Sequence, residues 1–161
     1  MSSTLLIRQA EISDIKQIMK INKLCLPENY SFDFFYHILS NYVEACAVAI
    51  EEEEIIGYVL SRIEKTFVSL IGIPNFKGHI ISIAVLPEFR RKNVGYKLMK
   101  FVMEKMINKG INTIYLEVRK SNYPAIELYK KLNYNLKRQI ENYYRDGEAA
   151  LIMEWKKQTA N

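Results

Sequence analysis

The stretch Gly78–Leu86, GHIISIAVL, limits what this chain can fold into more than any other. It is dense in β-branched residues and closed by Pro87, the pattern of a buried strand. A helix is expected over Val94–Lys109, with Val94, Leu98, Phe101, Val102 and Met106 on one face and Gly110 as its stop. Thr113–Arg119, TIYLEVR, is the next strand. Strand, helix and strand in that order imply a parallel pair joined by a right-handed crossover.

Further elements extend this unit on both sides. Thr4–Arg8, Ala45–Ile50, Ile55–Glu64, Tyr134–Arg138 and Glu148–Trp155 read as strands. A helix capped by Ser13 or Asp14, with Gln17 three residues after Asp14, carries Ile15, Ile18, Met19 and Cys25 at helical spacing and stops before Pro27. Ser31–Ser40 is a second helix. A later one is capped by Asn122, with Pro124 in its first turn. Glu51–Glu54 is expected as a solvated hairpin tip, because adjacent like charges stay in water. Thr66–Lys77, with Gly72 and Pro74, reads as an irregular loop. The class is α/β: a mixed central sheet of about seven strands with helices on both faces.

The 161 residues suit one domain, taken as residues 1–157 with a flexible tail at 158–161. No apolar run approaches the ~20 residues that span a bilayer, and the N-terminus lacks a signal-like pattern. A cytoplasmic protein with no membrane partner is therefore expected. Cys25 and Cys46, with His37 and His79, form no CxxC or HxxxH spacing, so no metal is expected. The net charge of +5 favours anionic partners, but no motif supports nucleic acid.

The basic residues gather in one informative place. Arg90-Arg91-Lys92-Asn93-Val94-Gly95 enters the central amphipathic helix directly from the apolar strand. In an open parallel sheet, ligands bind beyond the carboxyl ends of the strands. A helix start there offers unpaired N–H groups and partial positive charge, which suit a phosphate. Gly95 is read as letting backbone approach an anion, and the order strand, basic turn, glycine, helix predicts a diphosphate site.

This segment resembles the acetyl-CoA loop of the GNAT superfamily, whose pattern is Arg/Gln-x-x-Gly-x-Gly/Ala. Arg90 and Gly95 match its ends, while Asn93 stands where the first glycine is usual. Asparagine is among the few residues besides glycine that tolerate positive φ, so the loop can keep its shape. The resemblance covers nearly the whole chain. LCLPENY (24–30), FFYH (34–37), GYVL (57–60), GHIISIAV (78–85), RKSN (119–122) and YYRDGE (143–148) are similar to the catalytic subunits of N-terminal acetyltransferase A complexes. Archaeal stand-alone enzymes and bacterial ribosomal-protein alanine acetyltransferases form the same group.

The resemblance implies a GNAT fold whose splayed parallel strand pair holds acetyl-CoA, with CoA as product. Ile83, Ala84 and Val85 would offer main-chain groups to the pantetheine arm and thioester. Arg90, Arg91, Lys92, Asn93, Val94, Gly95 and Tyr96 would hold the diphosphate, with Asn122, Ala125 and Tyr129 across the opening. Glu28, His79 and Glu117 are the candidate bases, the last two as holders of an ordered water, and Tyr129 is the candidate acid to the departing thiolate. Leu26, Pro27, Glu28, Tyr30, Arg119, Tyr143 and Tyr144 would line a groove for protein or peptide N-termini. The implied activity is direct acetyl transfer to an α-amine in a ternary complex. Transfer to lysine or a small amine, or a CoA-binding subunit without turnover, are the alternatives. An auxiliary subunit and ribosome association stay open.

Overall fold

The periodicities just described resolve into eleven main elements. They are β1 (Leu6–Gln9), α1 (Ile15–Cys25), α2 (Phe32–Tyr42), β2 (Ala47–Glu51), β3 (Glu54–Val68), β4 (Ile73–Val85), α3 (Val94–Asn108), β5 (Thr113–Arg119), α4 (Tyr123–Lys131), β6 (Asn135–Ile140) and β7 (Ala150–Lys156). The computed structural model describes residues 4–68 and 72–158. The tail expected from Gln158 therefore lies, from Thr159 on, outside the described residues. One seven-stranded sheet runs in the order β1-β2-β3-β4-β5-β7-β6. Among the described residues β4 and β5 pair in parallel, and every other neighbouring pair is antiparallel.

Alternation along the strands divides the core in two. Ile114, Leu116 and Val118 of β5 and Ile80 of β4 face the layer of α3 and α4, packing with Val94, Leu98, Val102, Met106 and Tyr129. Val48, Tyr58, Leu60 and Ala84 face the other layer, against Ile15, Ile18 and Ile21 of α1 and Phe35, Ile38 and Leu39 of α2. Each such fully buried aliphatic or aromatic side chain contributes about 1.5–3 kcal/mol, so the amphipathic stripes decide which helix faces which layer.

Three local expectations are corrected. Asp14 does not cap α1 with its side chain. Its carboxylate instead accepts from Arg8 at 2.7 and 2.9 Å and from the Glu11 N–H at 2.8 Å, tying β1 to the helix start. The irregular loop expected over Thr66–Lys77 is mostly strand, because β3 and β4 pair continuously out to Val68 and Ile73; Ser69–Ile71 lie outside the described residues. Pro74 is tolerated because β5 joins β4 only from Gly78, leaving a neighbour on one side. The glutamate tip is tighter than expected: Glu51 and Glu54 still pair, and Glu52 and Glu53 make the turn with φ of 49° and 68°.

The decisive irregularity is in β4. Its register against β3 shifts where Leu60 faces Ser82 and Ser61 faces Ile80, leaving Ile81 as the extra residue. Ile81 packs into the α1/α2 layer, and Ser82 sits against Tyr58 of that same layer, so two consecutive residues share a face. A bulge of this kind bends the strand that carries it. Parallel pairing with β5 covers only Gly78–Ile80 against Ile114–Leu116, and the strands then part.

Gly57 lies against the diverging part of β4. An alanine Cβ there would sit 3.0 Å from the Ala84 carbonyl oxygen and 3.1 Å from Val85 Cγ2. A carbonyl in a paired strand cannot rotate away. Gly57→Ala is expected to cost about 1–3 kcal/mol, read as a lower urea midpoint at unchanged m-value.

Candidate active site

The gap between β4 and β5 ends at the start of α3. Arg90 Nε donates to the Val85 carbonyl at 2.9 Å, folding the turn back onto the end of β4. Arg91 and Asn93 then adopt left-handed backbone, with φ of 64° and 62°. Asn93 thus takes the conformation expected of a residue standing in for glycine. Its side chain makes no capping hydrogen bond, and the first amide bonded inside the helix is that of Lys97, to the Asn93 carbonyl at 3.0 Å. The N–H groups of Val94, Gly95 and Tyr96 are thereby left for a ligand, beside the exposed Arg90, Arg91 and Lys92. This donor set fits a diphosphate. Gly95 also serves the packing of the helices: a Cβ there would meet Leu128 Cδ2 at 3.2 Å, so the missing side chain lets α4 approach α3.

Across the gap, the Asn122 carboxamide accepts from the Ala125 N–H at 3.3 Å and starts α4. That helix buries Tyr129, 5% exposed, whose hydroxyl is pushed above its ordinary pKa by burial. No hydrogen bond or ring contact joins Tyr129 to Glu28, His79 or Glu117 among the described residues. It belongs to the α3/α4 layer, whereas alternation turns His79 of β4 and Glu117 of β5 to the other face of the sheet.

On that other face, alternation brings together Tyr115, Glu117 and Arg119 of β5. His79, opposite Tyr115 in the parallel register, stacks on its ring at 4.4 Å between centroids and 6° between planes. His79 Nε2 lies 2.7 Å from Glu117 Oε2, and Nδ1 lies 3.0 Å from Glu64 Oε1. The two residues expected to share a water therefore touch each other directly. Glu64 also accepts from Tyr115 at 2.5 Å and from Arg62 Nε at 2.7 Å. Burial alone would raise the Glu64 carboxyl, but the bonds from Tyr115 and Arg62 and the nearby positive charges outweigh it and hold the pKa below the usual value.

A second cluster joins the two loops expected to flank a groove. Arg119, its side chain 16% exposed, lies 2.5 Å from Glu28 Oε1 and 2.8 Å from both Asp146 and Glu148. Its guanidinium sits over the Tyr144 ring at 4.1 Å, and Tyr143 packs edge-on against Tyr144 at 5.0 Å. Tyr30 stacks on Phe34 at 4.4 Å, and burial together with the Glu28 charge raises its hydroxyl. The Glu28 loop is also anchored from below. Asn22 donates to the Glu28 carbonyl at 3.1 Å and to the Tyr58 hydroxyl at 3.0 Å, and Tyr58 reaches Ser82 at 2.8 Å. Leu26 is half-buried and Pro27 exposed.

Sequence reasoning missed Glu64, Tyr115, Asn22, Tyr58 and Ser82. Tyr115 was accessible from parity with Glu117 on β5. Glu64 was not, because the bulge shifts the β3–β4 register. Asp146 and Glu148 lay within the YYRDGE segment and were not singled out.

Residues 15–134 match the acetyltransferase (GNAT) family model. The chain is 47% identical over 150 residues to an N-alpha-acetyltransferase of Saccharolobus solfataricus, covering 91% of this chain and 90% of that protein. It is 34% identical over 150 residues to the N-terminal acetyltransferase A complex catalytic subunit ard1 of Schizosaccharomyces pombe, covering 91% and 82%. A crystal structure of the NatC complex bound to Gag peptide and CoA contains a chain with the same fold, at TM-score 0.88 and 19% identity, covering 96% of this chain and 99% of that one.

The Arg119 cluster has a pH signature. Hydrogen bonds from Ser121, then Arg119, hold the Glu148 carboxyl at about 2 instead of 4.5. A depressed folded-state value means the interaction is complete above about 4.5 and is lost as pH falls through about 2. The Glu148 carboxyl carbon should titrate near 2 by NMR, and Arg119→Met should move that midpoint up toward the ordinary glutamate range.

Proposed function

Because the chain belongs to the acetyltransferase (GNAT) family, we propose that it transfers acetyl from acetyl-CoA to the α-amine of protein N-termini. The observation that supports this reading is the paired His79 and Glu117 where β4 leaves β5, in a fold whose gap ends at the basic start of α3 and whose flanking loops are tied together by Arg119. The 47% identity with a protein named N-alpha-acetyltransferase supports the same substrate class.

Each part of the site has a role within that reading. The N–H groups at the start of α3, with Arg90, Arg91 and Lys92, would hold the diphosphate of acetyl-CoA. Main-chain groups of Ile83, Ala84 and Val85, which β5 no longer pairs, would align the pantetheine arm and stabilise negative charge on the carbonyl oxygen. When bound there, acetyl-CoA supplies an activated acetyl thioester. The chain's own task is to present an uncharged amine and a proton for the leaving sulfur. An α-amine has a pKa of about 8 against about 10.4 for lysine, so removing its proton near neutral pH needs only a modest base. Glu117, held by His79, fills that role. Glu28 has one oxygen on Arg119 and lies at the groove lip, where it can hold an incoming ammonium. Tyr129 keeps its proton because it is buried, and is the donor to sulfur.

Leu26, Pro27, Tyr30, Tyr143 and Tyr144 would form the groove for the first peptide units. Their hydroxyls and rings can bind main chain without reading side chains. A cytoplasmic site of action belongs to the same proposal, and the two free thiols, Cys25 and Cys46, suit a reducing compartment. Work as a single chain or with an auxiliary subunit is compatible with this groove.

Incubation with labelled acetyl-CoA should acetylate peptides with free N-termini and leave lysine-containing peptides with blocked termini unlabelled. Labelling of the blocked peptides would overturn the assignment. Replacing His79 and Glu117 together, by Ala and Gln, should lower kcat on the order of 100-fold while leaving CoA affinity within about twofold. Glu28→Gln should act chiefly on the peptide KM.

A further inference from the structure

His79 has a neighbour on each side of its ring. Both ring nitrogens face carboxylate oxygens, Nε2 to Glu117 at 2.7 Å and Nδ1 to Glu64 at 3.0 Å. An ionised carboxylate only accepts hydrogen bonds, so each contact is a bond only when that nitrogen carries its proton. The Glu64 bond therefore determines how the ring is turned and what it presents to Glu117. Three adjacent strands build this arrangement: Glu64 on β3, His79 on β4, and Tyr115 with Glu117 on β5. Tyr115 acts twice, its ring stacking on the imidazole and its hydroxyl donating to Glu64 Oε2 at 2.5 Å. The His79 side chain is 12% exposed and that of Glu64 is 23% exposed, so water competes little for these bonds.

We propose that Glu64 is a positioning residue for amine deprotonation, acting through His79 to hold Glu117 as the base. This rests on the N-terminal acetyltransferase reading and assigns a task to a residue which that reading does not use. The proton leaves the amine nitrogen for Glu117 Oε1, the oxygen that makes no hydrogen bond among the described residues. Oε2 keeps its bond from His79 Nε2, and the Nδ1 proton stays on the ring facing Glu64. Glu117 then releases the acquired proton to solvent, so the trio ends the turnover as it began. Without Glu64 the ring loses the contact that fixes how it is turned, and the Glu117 carboxylate loses its fixed partner.

A purely structural role for Glu64 has a ready form, because Arg62 shares the same oxygen at 2.6 Å. Kinetic coupling separates the two. Initial rates on a free N-terminal peptide should be measured for the full chain and for Glu64→Ala, Glu64→Gln, His79→Ala and the His79→Ala/Glu64→Ala double variant. CoA binding by calorimetry serves as the check on folding. Glu64→Ala should lower kcat by about 10–100-fold, within the range of acid–base contributions, with both KM values within about twofold. Glu64→Gln retains an amide oxygen for Nδ1–H and should recover most of that loss. In the His79→Ala background, Glu64→Ala should cost nothing further, since the two residues act as a unit.

An equal loss from Glu64→Ala with and without His79, no rescue by Gln, or unchanged kcat would each overturn the proposal. Should Glu64→Ala fail to bind CoA, Tyr115→Phe provides the same test, removing the bond to Glu64 while keeping the stack. Its kcat should fall in the wild-type background only. Absence of peptide acetylation by the unmodified chain would instead refute the underlying function, so the two failures are distinguishable.

Discussion

The site depends on a single break in pairing. Beyond Ile80 the β4 main chain no longer pairs with β5, and the break coincides with the extra residue at Ile81. Unpaired strand N–H and C=O groups inside a sheet are costly unless something else satisfies them. The protein uses this need: Arg90 takes the Val85 carbonyl, and an extended ligand arm can take the remaining groups. The same divergence opens the sheet between its two layers, so that α3 and α4 address the gap from one face while His79 and Glu117 address it from the other.

Polar side chains stabilise this irregular region where apolar packing cannot. Ser82, at the bulge, bonds Tyr58, which bonds Asn22, which bonds the main chain of the Glu28 loop. The bulge and the Glu28 loop are thereby joined by one chain of hydrogen bonds through buried side chains. Such chains contribute when every member is satisfied and cost heavily when one is removed. Burial pushes the Tyr58 hydroxyl up to about 12, in keeping with its role as a neutral link.

Charge is managed in two separate clusters. Around His79, two carboxylates face one imidazole, with Arg62 and Tyr115 completing the shell of Glu64. Around Arg119, three carboxylates converge on one guanidinium from the Glu28 loop and from the segment that carries Asp146 and Glu148. The first cluster joins three adjacent strands, and the second ties the Glu28 loop to the segment that carries Asp146 and Glu148. The forked guanidinium of Arg119 engages Glu28, Asp146 and Glu148 together and lies over the Tyr144 ring, so it ties both loops to the end of β5.

Much of this was legible in the sequence alone. Local signals are set by side-chain sterics and short-range hydrogen bonds, which act within a few residues. They placed β5 at Thr113–Arg119 to the residue, started α4 at Asn122, and anticipated the left-handed backbone of Asn93. His79 and Glu117 were nominated as a pair by their places on neighbouring strands together with the family resemblance. Gly72 and Pro74 misled, because a long antiparallel ribbon overrides residues that locally favour a loop. Only the tertiary structure decided the rest. Which carboxylate faces Nδ1 of His79 depends on a register shift between β3 and β4, and the bond of Arg119 to Glu28 spans 91 residues of sequence. Such contacts are selected by how whole strands and loops pack, and no local pattern of residues encodes them.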